Sequence, residues 1–371
     1  MRRRSDTGGS LPRGAGVPVL AYHSVAPGET IDPRRFRTHA QALARSGMPS
    51  LAPRDLEQSK SGFLLTFDDG FADLWTHALP ILAEYGLRAT VFAISSRAGE
   101  GPARPQGEAV FPGRSSQAFA EAAQRPGPHP AFLRWSELEA LEATRLVTVH
   151  SHSHTHAMGW VGDEIAGFHL GGLGRTHWSL PQCTGGDVRV GIPLYRRGSA
   201  LAHRLYRDEP TLRDLLADWV ERRGGEAYVR EAGAERVSGE LSGVARRFRE
   251  DRGPGGRWET DDEREGRTLD EIVRAREVLE HRLAGRRDEL CLPWGEYDGV
   301  TLECAKRAGV RRVYTLDRGP NAAGRPGFTV NRFEPRARGL VWIRSRLWIY
   351  RSTFRAELYR RVCGRPARAE S

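Results

Sequence analysis

Thr66-Phe67-Asp68-Asp69-Gly70 closes an apolar run and sets two carboxylates side by side. Successive side chains of a strand point to opposite faces, so neighbouring aspartates serve one site only where the strand ends and the backbone turns. Gly70 permits that turn. An ordinary solvated turn has the same composition, so the pair needs partners before it means chemistry. Those partners are offered by His150-Ser-His-Ser-His-Thr-His156, four histidines in seven residues. Imidazoles four apart on an extended strand lie roughly 13 Å apart, too far for two bonds of ~2.0–2.1 Å to one zinc ion. On a helical turn the same spacing gives ~5–6 Å. The run must therefore leave the strand and enter a helical turn. Two frames fit H-S-x-x-H: His150 with His154, and His152 with His156. The second is preferred, because 146–149 is strand and His150 finishes it. A carboxylate and two neutral imidazoles leave a coordination position open for water, as in catalytic metal sites. The implied chemistry is hydrolysis, with the second carboxylate free to accept a proton.

A third segment, Leu292-Pro293-Trp294-Gly295-Glu296-Tyr297-Asp298, reads by itself as a turn with an aromatic rim. The elements that must position these groups follow a strand–helix rhythm. Strands are expected over 17–23, 63–67, 89–94, 146–149, 290–292 and 312–316. Helices are expected over 33–47, 74–85, 136–143, 269–283 and 300–308. This alternation implies β-α-β units and a mainly parallel sheet. Residues 96–130, rich in Gly, Pro, Ser and Ala, read as a loop. Residues 158–265 break the rhythm, with one amphipathic helix over 212–222 and a disordered stretch over 251–266. The organisation expected is a flexible leader (1–15), a catalytic domain in two pieces (16–157 and 266–338), an insertion (158–265) and a tail (339–371). Apolar residues at 340, 343, 347, 350, 354 and 358 have helical spacing with arginines between them. This basic, amphipathic tail either packs on the domain body or makes peripheral contact with an anionic membrane face.

The chain has 371 residues, a formal charge of +10 and a pI of about 9.9. Of its 57 basic residues only Lys60 and Lys306 are lysine. The arginines are spread along the chain rather than clustered, which argues against a nucleic-acid partner. Cys183, Cys291, Cys304 and Cys363 show no C-x-x-C pair, and read as free thiols of a reducing compartment. No greasy segment follows the basic start and no run is long enough to span a membrane. The expected location is the cytoplasm, with the tail allowing peripheral membrane attachment.

In this order the three segments resemble the polysaccharide deacetylases of the NodB-homology type, carbohydrate esterase family 4. T-F-D-D-G, H-S-x-x-H and P-W-G correspond to that family's first three motifs. Val17-Pro-Val-Leu-Ala-Tyr-His23-Ser-Val25 resembles the branch that opens on a P-V-L-x-Y-H-x-V strand, which includes poly-N-acetylglucosamine deacetylases. The resemblance covers residues 16–156 and 265–335 and implies a distorted (β/α) barrel. It also implies that Asp69, His152 and His156 bind a divalent metal, usually Zn2+, and that Asp68 is the catalytic base. Pro293-Trp294-Gly295 becomes a substrate-binding turn whose Trp294 N–H holds the oxyanion. No histidine follows His281 where most members place the acid, and the resemblance to the branch with the Y-H opening implies that its early histidine, here His23, takes that role. One position departs from the pattern: Cys291 stands where the family has an arginine that steadies the base.

The implied reaction is release of acetate from an N-acetylated sugar in a glycan. Two other readings stand beside it. One is a deformylase or amidase acting on a nucleotide- or lipid-linked sugar; the other is a degenerate member that binds glycans without turnover. Residues 158–265 follow the histidines directly, and that placement suggests a lid or substrate groove.

Overall fold

The computed structural model describes residues 14–108, 114–173, 177–336 and 338–363. Among them, short apolar runs form the strands β1 (Val19–Tyr22), β2 (Leu64–Phe67), β3 (Ala89–Ala93) and β4 (Val147–Ser151). Two small antiparallel pairs follow, β5 (Met158–Phe168) with β6 (Pro193–Ser199) and β7 (Tyr206–Asp208) with β8 (Gly256–Trp258). The first sheet then resumes with β9 (Glu289–Cys291), β10 (Arg312–Thr315) and β11 (Thr329–Asn331). Its order is β1-β2-β3-β4-β9-β10-β11, and every neighbouring pair is parallel. Just past β11, Phe333 bridges Leu20, with the Ala21 N–H donating to the Phe333 carbonyl. The sheet thus nearly closes into the expected distorted (β/α) barrel.

Residues two apart on a strand share a face. Val19, Leu64, Phe92, Cys291, Tyr314 and Val330, from six different strands, meet in one buried cluster. The alternate residues Leu20, Leu65, Val91 and Val149 join a second cluster with the helices α1 (Pro33–Ala44), α2 (Leu79–Glu84) and, past α3 (Ser115–Gln124), α4 (Trp135–Ala143). Burial on both faces is why these strands read as continuous apolar runs.

Between the two halves of the sheet lie α5 (Leu180–Thr184), α6 (Pro210–Glu221), α7 (Gly225–Ala232), α8 (Ala234–Arg252) and α9 (Asp261–Arg282). α6 is the amphipathic helix expected over 212–222, and its Leu212, Leu216 and Val220 share a core with Val229, Val237 and Leu241 of the next two helices. The chain ends in α10 (Gly299–Arg307), α11 (Leu340–Tyr350) and α12 (Thr353–Cys363).

The structure corrects four expectations. The loop expected over 96–130 contains α3, whose Ala118 and Ala122 pack beside Phe71 and Phe132; alanine carries high helix propensity even in a stretch rich in turn formers. The stretch expected to be disordered over 251–266 holds the end of α8, β8 and the start of α9. Thr260 and Glu263 cap α9 reciprocally, and Asp261 and Asp262 favour the positive end of its dipole. The single amphipathic tail helix is two helices, α11 and α12, and α11 is apolar on its outward as well as its inward side. Of the expected leader, residues 1–13 lie outside the described residues, while the Thr353 N–H donates to the Gly14 carbonyl at 3.1 Å. Among the described residues no helix is long and apolar enough to cross a membrane.

Candidate metal and active site

The site lies at the carboxyl ends of the parallel strands, where α/β sheets gather ligands. At the end of β2 the backbone turns with Asp69 at φ 70° and Gly70 at φ 76°. A Cβ at Gly70 would sit 3.2 Å from both Cα and Cβ of Ala93, so glycine is required by backbone and by space. Gly70→Ala is expected to cost roughly 1–2 kcal/mol from the left-handed backbone alone. Urea unfolding measures this, and a variant as stable as the parent would show that the turn tolerates a side chain.

His150 is in β4 and His152 follows directly after its end. His150 sits 6.5 Å from the Phe92 ring. Burial, with Arg287 and Arg312 adding to it, pushes its imidazole down to about 3, so it is neutral. His154 turns away to Ser95, with Nδ1 2.8 Å from Oγ. The frame the structure brings to Asp69 is His152 and His156: their Nε2 atoms lie 3.3 and 3.6 Å from its Oδ1. The ligand atoms of Asp69, His152 and His156 all fall within 4.8 Å of one another, and all three residues are buried. The expected helical turn is absent. Instead Ser153 (φ 66°) and His156 (φ 53°) take left-handed backbone and bend the loop back on itself. Ser153 Oγ accepts from the His156 N–H at 3.0 Å, and Glu271 on α9 accepts from the N–H and Oγ of Thr155. Hydrogen bonds thus hold the strained bend from within and from outside.

His152 Nδ1 lies 3.0 Å from the Cys291 carbonyl oxygen. A carbonyl only accepts, so Nδ1 carries a proton there, and Nε2 faces Asp69 as metal-binding histidines are usually oriented. Burial pushes both imidazoles down; for His152 the Cys291 and Asp69 neighbours outweigh it and raise the group, whereas His156 falls to about 3. A buried carboxylate facing two imidazoles across a few ångströms fits a divalent cation by donor type and by spacing.

Asp68 is buried beside this set and belongs to a different contact. The guanidinium of Arg332, just past β11, grips it with two bonds, Nη1 to Oδ1 at 2.7 Å and Nη2 to Oδ2 at 2.8 Å. Arg332 also reaches Thr66 Oγ1 at 3.0 Å and Cys291 Sγ at 3.0 Å. The cation missing from position 291 thus arrives from the neighbouring part of the barrel wall, and Cys291 leaves room for it. Burial pushes the Asp68 carboxyl up, but Arg332, with His152, holds it well below the usual carboxylate range. Sequence reading passed over Arg332. Its signal was the two-residue step from Val330, which puts it on the barrel-facing side.

His23, past the end of β1, is partly open to solvent (41% of its side chain) and sits between two carboxylates. Its Nε2 is 3.9 Å from Asp68 Oδ2 and its Nδ1 is 4.0 Å from Glu334 Oε1. The loop that carries it is anchored by Asp73, which accepts from the Val25 N–H at 2.9 Å and from the Ser24 hydroxyl. Sequence reading missed Asp73 and Glu334 as well. In the turn Pro293–Gly295, Trp294 has φ 55° and its ring lies 4.2 Å from that of His156, tilted by 51°. Among the described residues no backbone or side-chain acceptor takes the Trp294 N–H. Phe119 of α3 lies 5.3 Å from the His156 ring and 5.3 Å from Trp178, which comes from residues 158–265. The same segment holds the Pro293–Gly295 turn from behind, where Glu296 accepts from the Ser199 N–H and lies 3.1 Å from His203 Nε2.

A family model for polysaccharide deacetylases matches residues 55–165, from before β2 through the histidine loop. This stretch is similar to the polysaccharide deacetylase family. YxkH of Bacillus subtilis (strain 168), named for the same family, is 34% identical over 95 residues, covering 23% of this chain. The match takes in 34% of YxkH, so the chain spans about a third of the length of that curated relative. The likeness of fold extends beyond the matched stretch. A de-N-acetylase from Aggregatibacter actinomycetemcomitans superposes with a TM-score of 0.51 at 16% identity, covering 87% of this chain and 95% of that one. The deacetylase domain of BpsB from Bordetella bronchiseptica gives a TM-score of 0.53 at 18% identity, over 87% and 97% of the two chains. At these identities the likeness is one of fold.

Proposed function

We propose that the protein is a metal-dependent deacetylase that releases acetate from an N-acetylated sugar of a glycan. The observation that carries this reading is the buried Asp69–His152–His156 set with a second, independently held carboxylate beside it. Asp69, His152 and His156 would hold the ion, and this donor set suits Zn2+. When bound, a divalent ion supplies Lewis-acid polarisation of the amide carbonyl and acidifies water.

The protein's own groups do the rest. Arg332 takes one lone-pair direction on each Asp68 oxygen and leaves the others open, so the carboxylate is fixed in place and still able to accept the proton of the attacking water. The vacant Trp294 N–H donates to the oxygen that becomes negative as the tetrahedral centre forms. His23 gives a proton to the departing amine. Atoms balance: the amide C–N bond breaks, the water oxygen stays with acetate and the nitrogen leaves as an amine. Residues 158–265 wall the substrate groove, a role that Trp178 and the bracing of Glu296 support.

Asp68→Asn is expected to keep one metal ion per chain and to lose about 10²–10⁴ in turnover, the usual contribution of a general base. Metal analysis together with acetate release from N-acetylglucosamine oligomers checks both halves. Near-parental turnover would remove Asp68 from the reaction.

One observation favours a second reading. A cleft of about 610 Å³ beside His23 is lined by Ser24, Thr30, Glu334, Arg336 and Arg338 among others, and the two arginines suit a phosphate-linked sugar. Comparing kcat/KM for an N-acetylated sugar with and without a 1-phosphate separates the two substrates.

A further inference from the structure

The outward face of the C-terminal helix pair is both apolar and basic. Val341 and Trp348 on α11, with Phe354, Leu358 and Val362 on α12, are exposed, Val341 by 83% and Val362 by 76%. Spacings of seven on α11 and of four on α12 place each set on one helix face. The other large exposed apolar residues described, Val188, Leu215 and Trp258, are scattered. The inward faces are already used, with Ile343, Leu347, Tyr350 and Ala356 buried in the barrel's outer core. A helix that is apolar all round is normally covered on every side; here, among the described residues, Val341 and Trp348 on the outer side are left exposed.

Charge says what covers it. Arg344, Arg346, Arg355, Arg360 and Arg361 on these helices, and Arg351 in the turn between them, share the segment with one acid, Glu357. That carboxylate is already engaged by Arg360 and Arg361. A second copy of this chain would bring like charge against like. The Arg355 guanidinium lies over the Trp348 ring at 4.2 Å and that of Arg346 over Trp342 at 4.8 Å, so cations are held against aromatic faces within the patch. This is how arginines sit at a boundary between apolar and anionic layers.

We propose that α11 and α12 dock the protein on an anionic lipid surface, apolar side chains in the acyl boundary and arginines among the headgroup phosphates. Glu334, Arg336 and Arg338, which line the His23 cleft, run directly into α11. Docking therefore fixes the mouth of the site beside that surface.

The test is sedimentation of the full chain with vesicles, which is independent of any activity. Vesicles of phosphatidylcholine mixed with phosphatidylglycerol should pellet the chain at least about tenfold better than phosphatidylcholine alone, with high salt weakening the effect. The triple variant Trp348→Ser/Leu358→Ser/Val362→Ser should stay in the supernatant. So should Arg344→Gln/Arg351→Gln/Arg361→Gln, and both variants should keep the parental rate on a soluble N-acetylated oligosaccharide. Parental protein remaining in the supernatant would overturn the proposal. So would undiminished pelleting of the serine variant, or a parental dimer in light scattering that this variant dissolves.

Discussion

Asp69→Ala is expected to abolish metal binding and to lower acetate release by about a thousandfold or more, since Lewis-acid and water-activation effects are worth several kcal/mol and each ~1.4 kcal/mol is tenfold. The expectation follows from geometry: Asp69 Oδ1 lies within 3.6 Å of both imidazole Nε2 atoms. Two histidines alone, one of them in a strained left-handed bend, make a weak and incomplete site. His150→Ala and His154→Ala serve as controls, because one ring lies beside Phe92 and the other bonds Ser95. Both should retain the ion, and loss of metal from His150→Ala would instead favour the earlier frame of the histidine run. Inductively coupled plasma analysis of purified variants, with acetate assays on the same samples, reads both outcomes.

Arg332→Met should be the most destabilising substitution at the site, by about 3–5 kcal/mol, because it leaves the Asp68 carboxylate buried and without its partner. The guanidinium is fully buried and also satisfies Thr66, Cys291 and the Thr315 carbonyl. Turnover should fall too, since an unpaired Asp68 is drawn toward its neutral form by burial and turns away from the attacking water. The double variant Asp68→Asn/Arg332→Met tests the mechanism of the loss. Removing the stranded charge should return part of the stability, so the two single effects will not add. Denaturant unfolding of the four proteins supplies the cycle. Additive losses would mean that Arg332 acts through packing alone.

How much of this was legible in the sequence depended on the physics behind each part. The barrel strands were readable because parallel strands buried on both faces must be apolar throughout, and Leu64–Phe67 and Ala89–Ala93 are fully buried. The His152 frame followed from the end of β4. The means of bringing the imidazoles together did not, since it rests on left-handed backbone at Ser153 and His156, which few non-glycine residues adopt and no glycine there announces. α3 and the first turns of α9 were hidden by polar composition; their helicity comes from alanine packing and from the Thr260–Glu263 cap. Arg332 was hidden for another reason. The strand before it, Thr329–Asn331, is only three residues long and its partner lies 264 residues away in sequence, so nothing local announces the pair.

The central claim is that one divalent ion, held by Asp69, His152 and His156, enables the hydrolysis. Zn2+ titrated into chelator-stripped protein, with acetate release followed at each addition, tests it most directly. The account predicts negligible release from the stripped chain and recovery that saturates at one ion per chain. Full release from metal-free protein would contradict it.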